Sequence, residues 1–129
     1  MAIDKETLLD LLSEVDKALG KEMSIVAVGG TAMTLLNLKQ STIDIDFNAS
    51  KDDVKELRRA FDSIPHGFRV DLFVEGMIFS QQLPDDYFEK CIPVKVKFKN
   101  IRLFALHPVD IVVSKIGRLN ERDVEDIKS

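Results

Sequence analysis

Cysteine, histidine and long apolar runs are all scarce in this sequence of 129 residues. The single cysteine, Cys91, excludes an intramolecular disulfide. The two histidines, His66 and His107, have no Cys or His partner at the spacing of a zinc site, so we expect both to be loop or cap residues. No run of about 18 apolar residues is present to span a membrane.

Positive charge is also in deficit, with 18 Lys and Arg against 22 Asp and Glu and a formal net charge of −4 at pH 7. This balance argues against a chain that coats nucleic acid by bulk electrostatics, although a local basic patch could still contact a phosphate backbone. The first ten residues are polar and acidic and do not resemble a secretion signal. We therefore expect a cytoplasmic protein without a membrane partner.

Apolar residues make up 45% of the chain, which at this length suffices for a single folded domain over residues 1–129. Apolar periodicity and turn signals predict helices at 5–19, 31–38 and 51–62, then two more after Pro108, at 108–119 and 121–129. They predict strands at 24–28, 43–47 and 68–74, and an antiparallel hairpin over 92–106. The expected fold class is α+β, with a mixed β-sheet flanked by helices.

Two aspartates in one strand, Asp44 and Asp46, alternate with the apolar residues Ile43, Ile45 and Phe47. Successive side chains of a strand point to opposite faces, so we expect the apolar side chains in the core and both carboxylates on the other face, with Cα atoms about 6.6 Å apart. Such a pair is tolerated best when solvent screens it or a divalent cation lies between. Mg²⁺, or Mn²⁺ in its place, is the natural candidate.

A glycine turn, Gly29-Gly30-Thr31, follows a predicted strand and precedes a predicted helix. Free N–H groups at such a turn favour a phosphate, and we expect Gly30 to adopt positive φ and Thr31 to cap the helix. Glycines also end strands without binding anything. The turn matches neither the G-x-G-x-x-G pattern nor a P-loop.

A third acid, Asp71, lies on the polar face of the strand at 68–74, together with Arg69 and Phe73. Three carboxylates on neighbouring strands, beside a turn that can hold phosphate, outline a two-metal site for phosphoryl transfer. The combination is more specific than either motif alone.

The segments Val28-Gly29-Gly30-Thr31, Thr42-x-Asp44-Ile45-Asp46-Phe47 and Val70-Asp71-Leu72-Phe73 resemble the nucleotidyltransferase fold of the DNA polymerase β superfamily. Residues 106–115 and 121–126 are similar, more narrowly, to the prokaryotic branch that includes nucleotidyltransferase toxins of abortive-infection systems. The resemblance covers nearly the whole chain.

This resemblance implies roles for individual residues. Gly29, Gly30 and Thr31 would hold the phosphates of a nucleoside triphosphate (NTP). The metal ligands would be Asp44 and Asp46, while Asp71 would deprotonate the attacking hydroxyl or help to hold its metal. In the toxin-like branch a later Lys and Asp enter the site, which here fall on Lys115 and Asp123; the role of Asp126 is left open.

Two departures from the branch are visible. An Arg that often precedes the two aspartates is replaced by Lys39 and Gln40, and the helical region that commonly follows the domain does not appear before Ser129. Because that region selects the second substrate, the sequence leaves the acceptor open between protein, RNA and small molecule. Lys95, Lys97 and Lys99 fit a solvated strand face, or a surface that receives an anionic acceptor.

The sequence therefore predicts a metal-dependent nucleotidyltransferase that moves a nucleoside monophosphate from an NTP to an acceptor hydroxyl. One alternative is a phosphatase of the haloacid dehalogenase type with Asp44 as nucleophile, but it predicts Thr or Val where Asn48 stands. The other is a non-catalytic module of the same fold that binds nucleotide, a partner protein as in toxin–antitoxin pairs, or a second copy of itself.

Overall fold

The computed structural model describes residues 2–74, 77–78, 81–82 and 90–108. Three helices and nine strands lie within these ranges. In chain order they are β1 (Ile3–Asp4), α1 (Lys5–Ala18), β2 (Met23–Ala27), α2 (Gly29–Leu35), β3 (Ser41–Thr42), β4 (Asp44–Ala49), α3 (Lys51–Asp62), β5 (Arg69–Val74), β6 (Met77–Ile78), β7 (Gln81–Gln82), β8 (Ile92–Pro93) and β9 (Ile101–Ala105).

The main sheet has five strands in the order β5-β4-β2-β9-β8. The β2 strand pairs antiparallel with β4 and parallel with β9, β4 pairs parallel with β5, and β8 pairs antiparallel with β9. Two short ladders, β1 with β3 and β6 with β7, are antiparallel. The predicted α+β class with a mixed sheet and flanking helices is confirmed.

Helices α1 and α3 form where the apolar spacing predicts them. Asp4 caps α1 by accepting a hydrogen bond from the backbone N–H of Thr7 at 2.8 Å, which lowers the pKa of its carboxyl group. Ser50 caps α3 in the same way, with the N–H of Asp53 donating to its hydroxyl at 3.2 Å. The helices bury their apolar stripes: Leu8, Leu11, Leu12 and Val15 from α1, and Leu57, Ala60 and Phe61 from α3.

The core lies between the main sheet and these helices. Its largest fully buried side chains include Ile25, Ile45, Phe47 and Phe61. The rings of Phe47 on β4 and Phe61 on α3 stack with centroids 6.3 Å apart, so the strand that carries the two aspartates is anchored by its apolar face.

A buried carboxylate joins the end of α1 to the loop before β9. Asp16 is 5% exposed, and its two oxygens accept hydrogen bonds from the backbone N–H groups of Lys99, Asn100 and Ile101 at 2.6 to 2.8 Å. The side-chain amide of Asn100 in turn donates to the carbonyl oxygens of Asp16 and Leu19. The start of β9 is thus fixed by a residue more than 80 positions earlier in the chain.

Some predicted elements differ in extent. The hairpin over 92–106 is confirmed as an antiparallel pair, but only Ile92–Pro93 of its first arm is a strand, because the chain turns soon afterwards, where the N–H of Val96 donates to the carbonyl oxygen of Val94. His66 lies in a loop as expected, and its Nδ1 accepts a hydrogen bond from the N–H of Phe68. Apart from Pro108 itself, both helices predicted at 108–119 and 121–129 lie outside the described residues. Within the described ranges, no helix has the length and apolarity needed to cross a membrane.

Candidate functional site

The glycine turn and the aspartate strand are in direct contact through Thr31. The Thr31 hydroxyl donates to the carbonyl oxygen of Asp44 at 3.0 Å and accepts a hydrogen bond from the backbone N–H of Asp46 at 2.9 Å. The N–H of Val28 also donates to the carbonyl oxygen of Asp46 at 3.1 Å. The two motifs that the sequence singles out therefore lie side by side in the fold.

Through these contacts the Thr31 side chain holds the backbone of the β4 strand, a role that the sequence did not indicate. Its side chain is fully buried, and its hydroxyl already donates one hydrogen bond and accepts another. The phosphate contact implied for Thr31 stays a prediction, and the burial of the hydroxyl does not favour it. Thr31 also does not cap α2, since the N-cap position is Val28 and no side chain caps that helix.

The two glycines serve different needs. Gly29 has φ of +56°, the left-handed conformation that was expected at Gly30. At position 30 a glycine is needed for a steric reason, because a Cβ atom there would lie 2.8 Å from the Oγ1 atom of Thr42. The expectation of positive φ at Gly30 is therefore wrong, and the close approach at that residue is to the β3 strand.

The three acids lie on two adjacent parallel strands. Asp44 and Asp46 belong to β4 and Asp71 to β5, with Asp46 and Asp71 as direct register partners. Asp46 is only 6% exposed, while Asp44 and Asp71 are half-buried. The strand pairing thus places all three along one junction of the sheet, beside the glycine turn.

Ile43 departs from the predicted alternation. It was expected in the core with Ile45 and Phe47, but it is 70% exposed whereas those two are fully buried. The chain bends at Ile43 between β3 and β4, so the strand alternation starts only at Asp44. The prediction for Ile43 is wrong, and an apolar side chain stands in solvent next to the first aspartate.

Two cations flank this junction, and the sequence analysis assigned a role to neither. Arg69 is the register partner of Asp44, and its Nε lies 3.3 Å from the Oδ2 atom of Asp71. Its position two residues before Asp71, on the same strand face, is the sequence signal from which this ion pair could have been predicted. On the other side, the Lys39 ammonium lies 3.7 Å from the position of a Cβ atom on Gly30.

The approach of Lys39 to the glycine turn follows from the backbone after α2. Asn37 adopts φ of +63°, and the N–H groups of Leu38 and Lys39 both donate to the carbonyl oxygen of Met33. This tight reversal brings residues 37–40 alongside the start of α1. The resulting open groove has a volume of about 420 Å³ and is lined by Asp4, Lys5, Glu6, Thr34, Asn37, Leu38, Lys39 and Gln40.

The donor chemistry of the aspartates suits a hard divalent cation, since Mg²⁺ is commonly bound by one or two carboxylates together with substrate phosphates. No group of three or more His, Cys, Asp or Glu side chains within the described ranges is close enough to hold a metal by itself. Asp44 and Asp46 are the residues that fit such an ion, and Asp71 is paired with Arg69. Lys115, Asp123 and Asp126 lie outside the described residues.

Comparison with known proteins identifies the fold and the family of this chain. In fold, the chain is similar to a crystal structure from Thermotoga maritima whose assignment as a nucleotidyltransferase is provisional. The TM-score is 0.64 at 14% sequence identity, over 96% of this chain and 93% of that one. A search of curated proteins finds no match. A family profile described as "Nucleotidyltransferase of unknown function (DUF6036)" matches residues 6–129. With its whole length but the first five residues matched, the chain belongs to this nucleotidyltransferase family.

Proposed function

We propose that this protein transfers a nucleoside monophosphate from an NTP to an acceptor hydroxyl in a metal-dependent reaction. The observation that carries the proposal is the contact between the glycine turn and the β4 strand through Thr31, with Asp71 in register beside Asp46. This arrangement puts backbone N–H groups and carboxylates within one small region, as phosphoryl transfer requires.

Each residue has a defined task in the proposed reaction. Asp44 and Asp46 bind the cation, which when bound neutralises charge on the phosphates. The acceptor oxygen attacks the α-phosphorus, the bond from that phosphorus to the bridging oxygen breaks, and pyrophosphate leaves. Asp71 accepts the proton of the attacking hydroxyl, so it must first separate from Arg69.

Arg69 is well placed to move from Asp71 to a phosphate group when a nucleotide binds. Its side chain is 73% exposed, so its contact with Asp71 at 3.3 Å is a solvated ion pair that is weak and easily rearranged. A guanidinium group that leaves Asp71 can donate to a phosphate oxygen instead, because both partners accept the same hydrogen bonds. The incoming nucleotide would thereby free the proposed base.

The same ion pair favours a second candidate function, a module that binds nucleotide or a partner protein without catalysis. In that case Asp71 serves only as the partner of Arg69. The two candidates predict different outcomes for turnover but similar outcomes for nucleotide binding, so binding and turnover must be measured separately.

Calorimetry with a non-hydrolysable NTP analogue tests the site. We expect tighter binding with Mg²⁺ than with EDTA, and we expect Asp46→Asn to remove the difference, because removal of a ligand's charge weakens a hard-cation site. Asp62→Asn, an exposed carboxylate in the last position of α3, is the matched control and should behave like the parent. Equal affinity of the parent with Mg²⁺ and with EDTA would contradict the proposal.

Turnover separates the two candidates. The parent should release pyrophosphate from NTP in the presence of an acceptor, and Asp71→Asn should abolish release while it keeps Mg²⁺-dependent nucleotide binding. If the parent binds nucleotide but releases no pyrophosphate with protein, RNA or small-molecule acceptors, the non-catalytic module is the correct function.

A further inference from the structure

Basic residues are concentrated in one stretch of this acidic chain. Residues 90–109 contain five Lys and Arg and no Asp or Glu. The other 13 basic residues share the rest of the chain with all 22 acidic residues. A protein with a net charge of −4 therefore contains a 20-residue segment with a formal charge of +5. Such an uneven distribution of charge indicates a surface for an anionic partner.

The lysines of this segment lie at the edge of the main sheet. Lys95, Lys97 and Lys99 are exposed, and they follow β8, the edge strand. The residues between and beside them are partly buried against the core: Val94, Val96 and Phe98. Because this alternation anchors the apolar side chains, the three ammonium groups share the outward side. We call these three residues the lysine edge.

The charges of the lysine edge are not neutralised by the rest of the described structure. None of its three side chains forms an ion pair or hydrogen bond with another described residue. The carboxylate of Asp16 contacts Lys99 through the backbone N–H of that residue and not through its ammonium group. The ammonium groups are therefore available to an external anion.

The segment begins at the same end of the sheet as the candidate site. Ile92 pairs with Ala105, and Ala105 pairs with Ala27, the last residue of β2 before the glycine turn. Three strand spacings, or about 14 Å, separate β8 from β4. From that end the chain continues beside β9, where the N–H of Val94 donates to the carbonyl oxygen of Leu103, and it reaches the other end of the sheet at Asn100, whose carbonyl oxygen accepts from the N–H of Met23.

We propose that the lysine edge binds the phosphodiester backbone of single-stranded RNA. Cations repeated at every second residue suit a polymer with one charge per unit, whereas a small acceptor needs a concave pocket. Lysines beside an edge strand also discourage sheet-to-sheet association, but that purpose does not require twenty residues without an acid. RNA also carries the hydroxyl groups that an acceptor needs; this acceptor role rests on the proposed nucleotidyl transfer, whereas the binding does not.

Fluorescence anisotropy with the full chain and a labelled, unstructured 12-nucleotide RNA tests the proposal without metal or NTP. Lys95→Gln/Lys97→Gln removes two charges and leaves Lys99, whose backbone is bound to Asp16. We expect its Kd at low salt to rise about tenfold or more, and the slope of log K against log salt to fall by about 1.4, since each phosphate contact on a single strand contributes about 0.7.

The matched control is Lys17→Gln/Lys55→Gln, which removes two exposed lysines from α1 and α3. It should keep the parent's Kd within about twofold and its salt slope, while both double variants keep the parent's circular dichroism and melting temperature. Asp46→Asn should lose Mg²⁺-dependent NTP binding and keep RNA binding, so failure of the proposed function and failure of this inference remain distinguishable.

Three results would overturn the inference. The first is equal RNA affinity and salt slope for the two double variants, or no RNA binding by the parent at low salt. The second is a polyglutamate of matched charge that competes as well as RNA, which would assign the surface to an acidic protein. The third is tighter binding of DNA than of RNA of the same sequence.

Discussion

The buried hydroxyl of Thr31 accepts a hydrogen bond from the backbone N–H of Asp46 at 2.9 Å and donates another to the carbonyl of Asp44. A residue for which the sequence predicts a phosphate contact thus has a structural role inside the fold. The distinction matters for interpreting mutants, because loss of this hydroxyl would disturb the aspartate strand before any nucleotide is bound.

Thr31→Val should lower the free energy of unfolding by about 1 to 3 kcal/mol, because it leaves the buried N–H of Asp46 without its acceptor. Urea denaturation without nucleotide measures the change. Thr31→Ser retains the hydroxyl and should recover most of the loss. A Val variant as stable as the parent would show that these hydrogen bonds do not stabilise the fold.

Gly30→Ala should destabilise the protein through its contact with Thr42, since the added Cβ would lie 2.8 Å from Oγ1. Thr42→Ala removes that atom at the cost of its own hydrogen bond to Asp44. In a double-mutant cycle the two changes together should cost less than the sum of the single changes, by about 0.5 to 3 kcal/mol. Additive costs would place the constraint elsewhere.

Asp16→Asn should lower the free energy of unfolding by about 1.5 to 3 kcal/mol, the range for hydrogen bonds to a charged group. The amide nitrogen of Asn would face backbone donors that the carboxylate now satisfies. Asp10→Asn changes an exposed carboxylate on the same helix and should be within about 0.5 kcal/mol of the parent. Chemical denaturation of both variants measures the two changes in unfolding free energy. Equal costs for Asp16→Asn and Asp10→Asn would show that the buried hydrogen bonds of Asp16 do not stabilise the fold.

Glu56 should stabilise the fold in a pH-dependent way. Hydrogen bonds from the Arg59 side chain and the Gly20 backbone lower the pKa of Glu56 from 4.5 to about 2. A lowered pKa stabilises the folded state above pH 4.5, and this contribution is lost as the pH falls from 4.5 towards 2. The difference in unfolding free energy between the parent and Glu56→Gln should therefore be largest near pH 7 and narrow below pH 4.5.

Denaturation series from pH 7 to pH 3 would show this narrowing. Glu14→Gln is the control, because Glu14 is exposed and pairs with Lys17 at 3.5 Å, so it should cost less than Glu56→Gln at pH 7. A difference for Glu56→Gln that stays constant over the series would contradict the assignment.

The sequence predicted the elements whose formation depends on residues close together in the chain. The spacing of Leu8, Leu12 and Val15 is sufficient for α1, and the Ser50 cap is sufficient for the start of α3. The contact between the glycine turn and the two aspartates was also predicted, because strand, turn and strand follow each other closely. The alternation rule failed at Ile43, where a bend interrupts the strand.

Contacts between distant residues were not readable from the sequence. Asp16 and Asn100 are 84 positions apart, and nothing in the spacing around either residue indicates the other. The register that sets Arg69 beside Asp44 depends on the pairing of β4 with β5, which a single sequence does not fix. The steric role of Gly30 likewise depends on where the β3 strand lies.

The position of β9 in the sheet has a consequence for biosynthesis. β2 is a central strand, but its neighbour β9 pairs with it across 78 intervening steps of the chain, from Met23 to Ile101. During translation β2 must therefore wait, with one side of its backbone uncovered, until residue 105 has left the ribosome. Such a delayed pairing slows folding and leaves a nascent strand open to misassembly, so the period of greatest risk for this domain lies between the synthesis of β2 and that of β9.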